Sequence, residues 1–517
     1  MAAVLRLGPI FSGLPYSDYI DEGFVLHQTT HVLNERTWET RWYGYPSLPA
    51  YLTAAVMLAG EPIYHSIHGR SFRTDLPRDE SNTMALAYRY DLIAPPELIV
   101  AGRLATAILS IATVILAGTI AARLAGSTAG TITAILASVC PALVLRASNV
   151  IVDTFGTFFV VLTLYLCERL RTAENVSWTR IVGAGIAAGL AFSSKYTAGA
   201  VFVAVLIIAF TRSSTVGRSI YLSAAATGGL LAGVLLGAPA TFLKLQNVVH
   251  DLTATANHYK TIHSVPGYFG QAIFSYELGW PLVSLGCAGV FLIVLRKTTR
   301  WAALSWSLFA ALLLCVLLPE PFQPFRNILP LVPLVCISAG VAISAVLEWT
   351  RHGHHRLSGR LFAATLLVAT VAAGFCPSLH YTYARLLHRD TRVQTVNWLQ
   401  QHTTRGHKIL AVSELAILPA EWKRVPAQTT VATWINALEL IQREKFDYAV
   451  TGDLDTRFAE NPAVAAEYLA KWKSLSDSLP VARQFGSNPA YVVPYLWHTN
   501  DELIRILKVS PTADPAR

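Results

Sequence analysis

Charge is scarce in this chain: Asp, Glu, Lys and Arg make up 14% of its 517 residues, against about a quarter in a typical soluble protein. With 53% hydrophobic residues and a mean hydropathy of +0.43, that shortage excludes an ordinary water-soluble globule. It marks a protein that crosses a membrane several times. Cysteine is scarce too. The six present, Cys140, Cys167, Cys287, Cys315, Cys336 and Cys376, lie in or at the edges of apolar segments. No spacing among them suggests a disulfide framework or a zinc site, so they read as small core residues. The net charge of +9 comes without a basic cluster interleaved with aromatics, which excludes nucleic acid as a partner. There is no phosphate-binding glycine loop, no internal repeat and no low-complexity segment. A cleavable signal is also missing: MAAVLRLGPIFSGLP is too short to span a bilayer and reads as the tail of a helix whose beginning is absent.

What the chain does have is apolar length. Ten segments stand out, at 97–122, 128–145, 150–167, 181–194, 196–211, 220–243, 281–295, 301–318, 328–347 and 361–379. A helix needs about 20 residues to cross the hydrocarbon, so the shorter ones extend into their flanks. Cytoplasmic loops should hold the excess of Lys and Arg. With the N-terminal region outside, inner loops carry twelve basic residues, from Arg123 to Arg360, and the outer loops only Arg146, Lys195, Lys244, Lys260 and Arg326. Both termini are therefore expected outside a plasma (inner) membrane.

Three parts follow from that reading. Residues 1–96 form an extracytoplasmic first loop, in which YPSLPAYLTAAVMLAG at 45–60 is expected to lie in the headgroup region. Residues 97–380 form a bundle of about ten helices with an outer loop at 244–280. Residues 385–517 change pattern: VQTVNWLQQH and ALELIQREKF read as helices, and HKILAVS, DYAVTG and AYVVPYLW as strands, which predicts a small extracytoplasmic α/β domain.

Candidate chemistry lies on the outer side. In YSDYIDEGF at 16–24 the adjacent carboxylates Asp21 and Glu22 follow Asp18. Such a pair also suits a solvated loop or the first turn of a helix, where acids favour the positive end of the dipole. Arg103, Asp153, Lys195 and Arg326 fall at the outer ends of apolar spans. Intramembrane ionisable groups are costly and are functional candidates by default. Each has a plainer use: an arginine can snorkel, Lys195 can mark a hairpin, and Asp153 can cap a helix or pair with Arg146 or Arg103. As a set, two acids and several cations suit a substrate with a phosphate leaving group and a hydroxyl or amine acceptor. His258 and His263 flank Lys260 in the 244–280 loop at a spacing only loosely suited to a metal. His352, His354 and His355 sit on the inner side and reinforce the positive-inside pattern. A divalent ion would find two acids but no clear further ligands, so a divalent metal is possible but not predicted, and no cofactor is expected.

Several stretches together resemble the polytopic GT-C glycosyltransferases, specifically the dolichyl-phosphate-mannose protein mannosyltransferases (glycosyltransferase family 39) and the related aminoarabinose transferases. They are DEGF at 21–24, YPSLPAYL at 45–52, GRLATAILSIATVILAG at 102–118, SNVIVDTFGTFFV at 148–160, GLAFSSKYTAGAV at 189–201 and FRNILPLVPLV at 325–335. The resemblance implies a mainly α, polytopic transmembrane bundle that transfers a sugar from a polyprenyl-phosphate donor to an extracytoplasmic acceptor (protein, lipid or glycan), inverting and without a nucleotide sugar. It implies that Asp21 is the catalytic carboxylate with Glu22 assisting, and that Asp153 is a second acidic position. Arg103, Lys195, Lys260, Arg326 and His258 are then substrate-binding candidates, with Lys195 and Arg326 toward the lipid phosphate. The chain departs from the family pattern in three places. Only a fragment of the first helix precedes the acidic pair, Ser47 separates Pro46 from the next residues where two prolines usually stand together, and Asn327 replaces an aromatic after Arg326. A different class remains open, a transporter or flippase of a lipid-linked or anionic substrate. That class would place charges at mid-bilayer and show repeated halves.

Overall fold

The computed structural model describes residues 1–16, 20–76, 95–261, 270, 277–320, 323–352, 356–387, 390–415, 417, 419–452, 470–475, 477–486 and 503–509. Asp18, His263, His354, His355 and the expected strand at 490–497 lie outside the described residues. The chain divides into two compact units that are not continuous in sequence. One takes Met1–Ile10, Val25–Leu76 and Glu97–Ala384; the other takes the described residues of Phe11–Phe24, Pro77–Pro96 and Arg385–Arg517.

The first unit is helical. It contains α1 (Ala2–Leu7), most of α2 (Ile20–Glu35), α3 (Leu48–His68), α4 (Pro96–Val139), α5 (Pro141–Ala147) and α6 (Val152–Arg171). After these come α7 (Trp178–Ser194), α8 (Phe202–Thr211), α9 (Val216–Gly237), α10 (Leu245–Thr261), α11 (Gly279–Leu295), α12 (Arg300–Leu317), α13 (Val332–His352) and α14 (Arg356–Leu387). Each apolar segment of the sequence falls on one of these helices over most of its length. Among the described residues five stretches are long and apolar enough to cross a membrane: Pro96–Val139, Val216–Gly237, Arg300–Leu317, Phe325–Thr350 and Leu361–His402. Large side chains such as Ile220, Leu236, Phe291, Val316, Phe362 and Val368 are exposed on these helices. That surface would be a liability in water and is what a lipid-facing bundle presents. The protein is a multi-pass membrane protein.

Local sequence explains where the helices start and approach. Ser177 and Thr215 accept hydrogen bonds from the backbone N–H of Arg180 and Arg218, capping α7 and α9. Pro141 sits at the first helical position of α5, where its missing N–H costs nothing. Helix α4 kinks where Gly126 takes φ +87°. Helices α7 and α9 meet along small residues: a Cβ on Gly189 would lie 2.3 Å from the Leu230 carbonyl oxygen, and one on Gly233 2.4 Å from that of Ile186. Lipid gives no hydrophobic drive between helices, so this close backbone contact supplies the attraction.

Residues 245–261, expected as polar loop, are helix α10 instead. The apolar face is short: Val248 and Leu252, one turn apart, pack on Tyr43, Tyr196 and Ala240. Two residues on one face are too few to stand out as a helical period.

The second unit carries the α/β pattern. Helix α15 (Thr391–His402) precedes β1 (Lys408–Val412), β2 (Gln428–Ala432), α16 (Trp434–Arg443), β3 (Tyr448–Gly452), β4 (Val481–Phe485) and β5 (Ile504–Lys508). The strand order is β2-β1-β3-β5-β4. β1 runs parallel to β2 and β3, while β5 is antiparallel to β3 and β4. Interior strand β1 is buried along nearly its whole length, as a strand covered on both faces should be.

Candidate functional site

Helix α5 ends at Ala147, and residues 148–151 carry the chain to α6, so Asp153 falls in the first turn of α6. Two hydrogen bonds hold this turn: Asn149 Nδ2 donates to the Leu145 carbonyl at 3.2 Å, and Thr154 Oγ1 to that of Arg146 at 3.0 Å. Asp153 is only 1% exposed. Where α7 ends, Lys195 turns extended (φ −154°, ψ 121°) before a 3₁₀ segment begins at Tyr196. A Cβ on Gly156, one turn beyond Asp153, would lie 3.2 Å from the Lys195 Cβ, so glycine lets the two elements close. The Lys195 ammonium then donates to Asp153 Oδ1 and, at 2.8 Å, to Asn327 Oδ1. Asn327 belongs to the 3₁₀ segment Phe325–Leu331, which starts after Pro324 and contains the buried Arg326.

A second ion pair lies on the same elements. Arg146 Nη2 donates to Glu277 Oε1 at 2.9 Å, and its guanidinium stands 5.6 Å from the Phe325 ring centre. The backbone oxygen of Glu277 accepts from Ala142 N at 3.1 Å, fastening this residue to the start of α5. Burial pushes the Glu277 carboxyl up, and the Arg146 charge opposes that rise.

The loop between α2 and α3 fastens to the same region. Gln28 Nε2 on α2 donates to the Trp42 carbonyl at 2.8 Å, Tyr43 N donates to Asp251 Oδ2 of α10 at 2.8 Å, and Tyr196 OH donates to the Tyr43 carbonyl at 2.9 Å. Lys244 pairs with Glu39 at 2.6 Å. Burial first, and then the carboxylates of Glu39 and Asp251, push the Tyr43 hydroxyl up to about 12.

Of the residues singled out by sequence, Asp153 and Lys195 meet directly, and Arg326 sits beside Asn327 in the segment that meets them. Arg103 is fully buried in α4 and donates to the Ile10 carbonyl at 3.2 Å. Asp21 and Glu22 lie in the first turn of α2, 3% and 0% exposed, within the second unit. They are thus not a solvated loop pair. His258 and Lys260 are on α10, with side chains outside the described residues. Asp153 partners neither Arg146 nor Arg103, the cations considered for it; Arg146 goes to Glu277. Glu277 and Asn327 escaped the sequence reading. Glu277 had a usable signal, an acid four residues ahead of the apolar run at 281. Asn327 is uncharged, and its one signal was that it stands where the family pattern has an aromatic. Among the described residues no three His, Cys, Asp or Glu side chains gather to hold a metal.

Comparison with known proteins places the fold. Residues 96–240 match the family model for dolichyl-phosphate-mannose-protein mannosyltransferase. The chain is similar to the crystal structure of ArnT from Cupriavidus metallidurans bound to undecaprenyl phosphate, with TM-score 0.53 and 13% identity over 99% of this chain and 97% of that one. The apo state of the same protein gives TM-score 0.50 and 13% identity over 98% and 96%. The Archaeoglobus fulgidus oligosaccharyltransferase tethered with an acceptor peptide containing the NVT sequon gives TM-score 0.50 and 12% identity over 94% and 71%. No curated protein sequence matches the chain. At these identities the likeness is one of fold, the polytopic helical fold of the GT-C glycosyltransferases with a small sheet.

Proposed function

We propose that the protein is an integral-membrane glycosyltransferase that moves a sugar from a polyprenyl-phosphate donor to an acceptor outside the cytoplasm. The observation that carries this reading is the part-buried Asp153–Lys195–Asn327 cluster, in a fold whose relative ArnT has been seen with undecaprenyl phosphate. In the reaction an acceptor hydroxyl or amine attacks the anomeric carbon, the bond from that carbon to the phosphate oxygen breaks, and the polyprenyl phosphate leaves. The configuration inverts in this single displacement. Asp21, with Glu22 beside it, receives the acceptor proton. Lys195 and Arg326 balance the charge on the departing phosphate, which a site shielded from bulk water makes far more effective than solvent would. Asp153 holds Lys195 for that task. Arg103 acts through its hold on the N-terminal segment, while His258 and Lys260 are substrate contacts contributed by α10.

Purified protein supplied with polyprenyl-phosphate sugars should release the lipid phosphate. Asp21→Asn should lower turnover by about 10²- to 10⁴-fold, the usual worth of a general base. Undiminished turnover in that variant removes Asp21 from the base role. Absence of transfer with every donor and acceptor, joined to movement of a lipid-linked sugar across the bilayer, would favour a flippase instead.

A further inference from the structure

We infer that Asn327 is a positioning residue for the donor phosphate: together with Asp153 it aims the Lys195 ammonium while adding no negative charge beyond that of Asp153. The inference rests on the reading of Lys195 as a phosphate-binding group given above.

An ammonium has three N–H donors. Asp153 takes one and the amide oxygen of Asn327 takes another, at 2.8 Å. Two fixed acceptors determine the direction of the third donor. The Asp153 side chain is 1% exposed and that of Lys195 14%, so of the two partners the lysine is the one solvent reaches. Electrostatics decides what the second acceptor can be. Lys195 and Asp153 together are neutral, and an additional carboxylate would present net negative charge to an arriving phosphate. An aromatic ring at 327 would offer no equivalent in-plane oxygen. An amide supplies the geometry and adds no charge.

The segment that carries Asn327 is well held. Asn327 N donates to the Pro324 carbonyl at 3.0 Å, and the Phe325 ring lies 5.6 Å from Arg146, itself bonded to Glu277. Arg326, the preceding residue, is 7% exposed and supplies a further positive charge on the same segment. An amide in this place therefore belongs to a built arrangement and not to a mobile loop.

Asn327→Asp separates this role from a structural one, because a carboxylate of nearly identical shape accepts the Lys195 hydrogen bond at least as well. Three quantities are measured for each variant in detergent: the melting temperature, the affinity for polyprenyl phosphate alone, and KM and kcat with a polyprenyl-phosphate sugar. Asn327→Asp is expected to melt no lower than the parent, yet to weaken phosphate binding and raise KM about tenfold or more, with a smaller change in kcat. Asn327→Ser keeps a neutral acceptor and should stay within about threefold of the parent, while Asn327→Leu should weaken binding about tenfold. Parent-like binding by a folded Asn327→Asp overturns the inference and leaves Lys195 as the phosphate group. Should that variant not fold, equal affinities for Asn327→Ser and Asn327→Leu overturn it. A parent protein that binds no polyprenyl phosphate overturns the reading of Lys195 itself.

Discussion

Arg146 with Glu277 and Lys195 with Asp153 are both acid–base pairs at the ends of apolar helices, but water reaches them differently. The first pair leaves 6% and 3% of its side chains exposed, the second 14% and 1%. Their partners differ in kind as well. The Arg146 guanidinium faces both a carboxylate and the Phe325 ring, and the backbone of Glu277 is tied to α5. These contacts fasten the 3₁₀ segment, α5 and the approach to α11 together. The Lys195 ammonium instead has a buried carboxylate and a neutral amide, and its side chain keeps 14% exposure. The second unit contains another sealed pair, Asp390 with Arg392 at 0% and 1% exposure, and there the guanidinium lies 3.8 Å from the Tyr16 ring centre. Closed pairs with aromatic cover place backbone, and the half-open pair is the one proposed to meet a ligand.

The largest effect should come from breaking a closed pair on one side only. Arg146→Met leaves Glu277 buried without its cation, and such a loss costs about 3–5 kcal/mol. Removing both charges, as in Arg146→Met with Glu277→Leu, should recover most of that, since an apolar pair of similar volume is often as stable as a buried ion pair. Melting temperatures in detergent check both. The double variant should also keep its KM for donor close to the parent's. A folded double variant with a greatly raised KM would put the closed pair in the same class as Lys195 and end the distinction.

Lys195→Arg should do the reverse. Charge is retained, but the compact ammonium becomes a planar fork that cannot occupy the same place between Asp153 and Asn327. Affinity for polyprenyl phosphate should fall about tenfold, or about 1.4 kcal/mol, with a melting temperature near the parent's. Comparable losses in melting temperature and affinity would mean that the half-open pair is fastening structure too.

How much of this could be read in the sequence depended on what the membrane penalises. Long apolar runs are obligatory in a spanning helix, so the helices of the bundle were legible. Charges near such runs are expensive, which is why Asp153, Lys195 and Arg326 stood out before any fold was known. The same penalty also applies to Glu277, just ahead of α11, but the acid was passed over as part of a polar connection. Asn327 carries no charge and left no trace except as an exception to a family pattern. In the second unit, α15, β1, α16 and β3 were legible because buried apolar residues recur at the right period. Strands β2 and β4 were not: they are the two edges of the sheet, their side chains are half or fully exposed, and QTTVA and VARQF show little of the alternation that marks a covered strand. The close approach of α7 and α9 at Gly189 and Gly233 was not read from the sequence and emerged only from the fold.

The smallest effect should come from a pair that water already surrounds. Arg70 and Asp75 lie 2.9 Å apart with 61% and 22% of their side chains exposed, and Tyr64 OH donates to the same carboxylate at 2.5 Å. The tyrosine hydroxyl first, and then Arg70, hold the Asp75 carboxyl below its ordinary value of 3.8. A lowered value in the folded state means that the contact favours folding above the ordinary value, and that this contribution is lost as pH falls through the lowered one. Exposed pairs contribute little because water competes for both partners. Acidification from neutral to below pH ~3.8 should therefore lower the hydrogen-exchange protection of residues 69–76 relative to the intrinsic rate at each pH, with no transition of the bundle attributable to Asp75. Asp75→Asn at neutral pH should speed that same local exchange and leave the melting temperature and the donor KM unchanged within error. If instead it lowered the melting temperature as far as Arg146→Met does, exposure to water would not be what separates these pairs. The distinction between fastening and binding would then have to rest on the Asn327 variants alone.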